Sequence, residues 1–153
     1  DLAGLLAIAQ QNYPKADEAF SEAVALKPDS DEYRFKLAVV RVQTATGEEL
    51  RQSRETLSRM STNAVYRADA LRALFAEAVR RKADAEAKFH STGLLQTGKA
   101  TMADRINHLI LLRRTSDRGF AASLAEAKSA AVASRASVAE LSRWMCHQGL
   151  ARD

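Results

Sequence analysis

The sequence predicts an all-α fold, an α-solenoid of about four helix-turn-helix pairs plus a final helix. Three observations carry this. Helix formers (Ala, Leu, Arg, Glu, Lys) dominate, against two Pro and six Gly. No stretch alternates apolar and polar residues long enough to read as a strand. One kind of apolar helical face recurs, starting at Ala16, Leu50, Ala87 and Phe120, at steps of about 34 residues, the spacing of stacked helix pairs.

Apolar spacings of three and four place nine helices in order. Leu2 to Gln11 opens the chain and contains Gly4. After a turn at Tyr13, Lys15 to Leu26 carries Ala16, Phe20 and Ala23 on one face, and Pro28 stops it. The small residues let a neighbouring helix approach, and Phe20 fills the gap between them. Asp31 to Thr44 has two opposed stripes: Tyr33, Leu37 and Val40, then Phe35, Val39 and Val42. Two stripes mean two neighbours, as for an internal helix of a stack. Glu48 to Met60 repeats the first face as Leu50, Arg54 and Leu57. Ala64 to Arg80 follows and ends in the basic run "RRK". Ala83 to Gln96 repeats the face as Ala87, Ser91 and Leu94. Thr101 to Arg114 contains "LILL" and ends in "RR". Asp117 to Ala133 repeats it as Phe120, Leu124 and Ala127. Ser137 to Gln148 aligns Trp144 with Val138, Leu141 and Met145, with Gly149 at the next turn.

The first of these faces resembles a known family. Ala-x3-Phe-x2-Ala-x4-Pro, with Tyr13 three residues ahead, is similar to the second half of a tetratricopeptide repeat (TPR). Ala16, Phe20, Ala23 and Pro28 match in register, and Gly4 falls where the family's first helix usually has its glycine. Later repeats are degenerate, since Arg54 and Ser91 stand at the aromatic position. The resemblance implies a right-handed superhelix in one repeat domain, 1–153, with repeats at about 1–30, 31–63, 64–100 and 101–135 and a partial one at 136–153. The chain opens at Asp1 without a Met and ends mid-repeat, so it reads as an excerpt of a longer protein.

Composition bounds the partners. Hydrophobic residues at 46% and charged residues at 27% exclude a disordered chain. The apolar runs are far short of the roughly 20 residues that cross a bilayer, so membrane insertion is not expected. A single cysteine, Cys146, excludes an internal disulfide and slightly favours a cytoplasmic location. The net charge of +4 gathers in the second half, which could favour an anionic partner.

The segment "STGLLQTGKAT" has the outline of a phosphate-binding loop. Such a loop needs a preceding strand and Ser or Thr directly after the Lys. Here a helix precedes Gly93, and Ala100 follows Lys99. Gly98 is instead expected to take a left-handed conformation just past a helix end. His90, His108 and His147 lack metal-ligand spacing, so no metal is expected. Cys146 lies near a helix C-terminus, which raises a thiol pKa, and no nucleophile motif occurs. The sequence therefore predicts no enzyme and no cofactor.

The resemblance implies that first helices line a concave groove holding a peptide or partner helix. The candidate groove-lining residues are Arg34 and Arg41, then Asp69 and Arg72, then Asp104, Asn107 and His108. One subtype of the family grips a C-terminal carboxylate with Lys and Asn. The matching positions in the second repeat are Phe35 and Val39, so that clamp is not implied. The expected function is a non-catalytic protein-interaction scaffold. The alternatives are polyanion or nucleic-acid binding by the basic second half, which the scarcity of aromatics disfavours, or a structural segment that self-associates through exposed terminal helices.

Overall fold

The computed structural model describes residues 2–150, which form nine helices and no strand. They are α1 (Leu2–Ala9), α2 (Tyr13–Leu26), α3 (Asp31–Thr44), α4 (Gly47–Met60), α5 (Arg67–Arg80), α6 (Asp84–Leu95), α7 (Met102–Arg114), α8 (Phe120–Ala131) and α9 (Arg135–His147). Each coincides with an expected helix, and the boundaries shift where local polar groups intervene. The α2 helix starts early because Asn12 accepts a hydrogen bond from the Lys15 N–H, and Pro14 suits the first turn. Arg67 rather than Ala64 opens α5, because the Asn63 side chain accepts from the Val65 N–H and holds a turn. Asp117 does the same with the Gly119 N–H and delays α8 to Phe120.

The chain divides into two compact units, residues 1–81 and 82–153. In the first unit, consecutive helices pack together and α3 also touches α5. The two stripes of α3 separate as expected. Val40 and Leu37 join Ala7, Ala16 and Phe20 in one cluster. Ala38, Val42, Phe35 and Val39 join Leu57, Met60, Ala70 and Leu74 in another. The Phe35 and Tyr66 rings meet there at 4.9 Å. Gly4 sits directly over the Phe20 ring, where a Cβ would lie 2.7 Å from Cζ. This close approach gives the glycine its physical reason.

In the second unit, α7 contacts α6, α8 and α9. Its core joins Met102, Ile106 and Leu109 to Ala127, Ala131 and Leu141, with Trp144 and Met145 packed against it. Val138, expected on the same face, is exposed, as is Phe89 on α6. Gly98 has the left-handed backbone expected of it, with φ +70°.

A repeat is also written in the backbone. Left-handed residues follow every first helix, at Gln11, Gly47, Lys82, Ser116 and Gly149, about 35 residues apart each time. After α1, α7 and α9 they belong to Schellman turns: the N–H groups of Asn12, Asp117 and Leu150 donate to the carbonyls of Ala7, Leu112 and Met145. Only two of the five residues are glycine, so the sequence conceals this period. The architecture is thus all-α and repeat-like.

Candidate functional site

Three polar ties join a second helix to the first helix that follows it, and they account for several conspicuous polar residues. Arg41 on α3 donates to both carboxylate oxygens of Asp17, the shorter bond being 2.7 Å, and to the Ser21 hydroxyl on α2. Arg54 on α4 reaches the buried Glu77 carboxylate of α5 at 3.6 Å, and Arg81 donates to the same carboxylate at 2.5 Å. The Ser91 hydroxyl on α6 lies 2.8 Å from Nδ1 of His108 on α7. Arg54 and Ser91 are the residues at the expected aromatic position. A polar pair therefore replaces the ring contact there.

The candidate residues divide accordingly. In the first unit, Arg41 is committed to α2. Arg34 lies near Asp29 at 3.7 Å, and Asp69 and Arg72 pair with one another along α5. In the second unit, Asp104 is buried and completes a capping box with Thr101 at the start of α7. Asn107 is exposed. His108 is 5% exposed and floors an open cleft.

That cleft has a volume of about 680 Å³. Its helices are two-sided. On α6, Ala87, Ser91 and Leu94 are buried, while Lys88, Thr92, Leu95 and Gln96 line the cleft. On α7, Met102, Ile106 and Leu109 enter the core, while Arg105, His108 and Leu112 form the floor. On α8, Ser123, Glu126, Ser129 and Ala130 form the opposite wall. Each set recurs at three- and four-residue intervals, so one helix can serve core and cleft together. Lys88 and Asp117 form an ion pair beside it.

His108 is held below its ordinary pKa, first by burial and then by the charge of Lys88, against the opposing pull of Asp117 and Glu126. The single Ser91 proton has the Lys88 carbonyl within reach at 3.1 Å, a group that can only accept. His108 Nδ1 lies within reach of the same hydroxyl, which can donate to it or accept from it according to the ring tautomer. Asp117 is pulled below its usual carboxylate value, chiefly by the hydrogen bond from Lys88 and then by the Gly119 N–H.

Among the described residues no three His, Cys, Asp or Glu side chains gather as metal ligands, and no helix is long and apolar enough to cross a membrane. The "GLLQTGK" segment is the end of α6 and the turn into α7. There the Thr97 hydroxyl donates to the Leu94 carbonyl and accepts from the Lys99 N–H. The cleft walls were not singled out in the sequence. The legible signal was polar residues at 123, 126 and 129 on the otherwise Ala-rich α8, and Arg105 three before His108. Compared with protein-family models, curated proteins and solved structures, the chain finds no match.

Proposed function

We propose that the chain is a non-catalytic interaction module of TPR-like helix pairs, right-handed as that family is, and that it binds a peptide segment of a partner protein. The carrying observation is the cleft over α7. Its volume lies within the usual range for binding sites, about 300–1,000 Å³. Its walls present hydroxyls, an amide and charges rather than the apolar enclosure of a small-molecule pocket. An extended peptide supplies the donors and acceptors that such walls require.

The test is a random hexapeptide array probed with the intact chain, followed by amide-shift mapping of retained peptides. The expected result is a shared motif whose binding perturbs α6, α7 and α8 and is lost when Thr92→Trp fills the cleft. Retained peptides that bind Thr92→Trp equally well, with no cleft amide shifted, would refute the proposal.

A second reading, polyanion binding, is favoured by the net charge of +4 and by the bias of basic residues to the second half. Salt-sensitive retention on heparin, together with an array that yields no motif, would replace the first reading with this one.

A further inference from the structure

The cleft contains two charges of opposite sign that form no ion pair among the described residues. Arg105, in the first turns of α7, makes no side-chain hydrogen bond or ion pair among the described residues, and neither does Glu126 on α8. They do not pair with each other, although Lys88 and Asp117 in the same cleft do. Outside the cleft, Arg114 pairs with Asp84 and Arg113 donates to the Gln148 carbonyl and side chain, whereas Arg118, Arg135, Glu140 and Arg143 stand in open solvent without such bonds among the described residues. An unpaired cation and an unpaired anion lining one concavity constitute half of a recognition pattern.

Their surroundings sharpen it. Ser123 and Ser129 lie one turn to either side of Glu126 and line the same cleft. An ammonium, with three donors, would meet a carboxylate flanked by two hydroxyl acceptors. The His108 ring adds a polar group on the floor. At the α6–α7 end, Arg105 stands with the Gln96 amide, both able to donate to a carboxylate.

The four charges of the lining, Lys88, Arg105, Asp117 and Glu126, cancel, and no Phe, Tyr or Trp lines the cleft. Both features disfavour a nucleic acid strand, which wants net positive charge and stacking surfaces.

From this we infer that the cleft selects peptides carrying an acidic and a basic side chain close together, the acidic one on Arg105 and the basic one on Glu126. The inference rests on the peptide-binding reading of the same cleft and adds the charge pattern of the ligand.

The test uses four end-capped tripeptides: Asp-Gly-Lys, Asp-Gly-Gln, Gln-Gly-Lys and Gln-Gly-Gln. Each is titrated into the isotope-labelled full chain and followed by amide shifts. Asp-Gly-Lys should shift cleft amides and bind about tenfold more tightly than either singly charged peptide. Arg105→Gln should erase the advantage of Asp and keep that of Lys, and Glu126→Gln should do the reverse. Both residues lie outside the core, so both variants should fold, with unchanged shifts elsewhere as the check. Equal affinity of all four peptides in the cleft overturns the charge pattern and leaves the peptide groove standing. Preferences that survive both substitutions overturn it as well. If none of the four shifts a cleft amide, the inference falls. The peptide reading falls with it only if the hexapeptide array also finds no cleft binder. Cleft shifts caused by a short single-stranded oligonucleotide in place of the tripeptides also overturn the inference.

Discussion

Replacing Gly4 with Ala sets two effects of known sign against each other. Removing a glycine from a helix gains at most about 1 kcal/mol, and less near the N-terminus of α1. The added Cβ would lie 2.7, 2.8 and 3.0 Å from Cζ, Cε1 and Cε2 of Phe20. The ring cannot swing aside, since Phe20 is 0% exposed and packed with Ala7, Ala16 and Val40. Overpacking of this kind costs about 1–3 kcal/mol. The clash should win, for a net loss of about 1–2 kcal/mol. With a urea slope near 2 kcal/mol per molar, the midpoint should fall by about 0.5–1 M, read by circular dichroism. Phe20→Leu vacates the contested space, so the Gly4→Ala penalty should shrink in that background, with a coupling of at least about 0.5 kcal/mol. A Gly4→Ala chain more stable than the parent, or a penalty independent of residue 20, would refute the packing argument.

Glu77 is 3% exposed and held by Arg54 and Arg81. Removing both cations with Arg54→Met and Arg81→Met should cost about 3–5 kcal/mol in urea unfolding, and adding Glu77→Leu should recover most of it. Ser116 carries φ 52° at the end of α7. Ser116→Gly should stabilise by about 0.5–1 kcal/mol, whereas Gly149→Ala should destabilise by a similar amount, both read from thermal midpoints. Acid should weaken the second unit. His108 titrates below its ordinary 6.5 in the fold, so the unfolded chain takes up the proton first as pH falls. The stability it contributes is complete above pH 6.5 and is lost as pH falls toward the folded value. Asp117, lowered from 3.8, acts in the same sense at more acidic pH. In His108→Gln the pH dependence of stability just below 6.5 should flatten, and an unchanged profile would contradict the desolvated, neutral imidazole.

The sequence by itself determined the helices and their internal faces. Helix periodicity is local: Ala87, Ser91 and Leu94 fall on one side of α6 whatever surrounds it, and the opposed stripes of α3 require two neighbours. Gly4 and Phe20 could be linked from the sequence only through a resemblance, because neither residue says what it touches. The degenerate repeats were harder still. Arg54 and Ser91 look like lost aromatics, and only the packed structure shows that Glu77 and His108 meet them from the following helix. Polar pairing across a helix interface leaves no fixed spacing in the chain. The left-handed turns are hidden as well, since Gln11, Lys82 and Ser116 take at helix ends a conformation that composition assigns to glycine. The cleft, too, was decided by packing. Arg105 and Glu126 lie 21 positions apart on separate helices. Their common cleft exists because α6 and α8 both pack on α7, and contact between distant segments is set by the sum of many burials rather than by any local pattern.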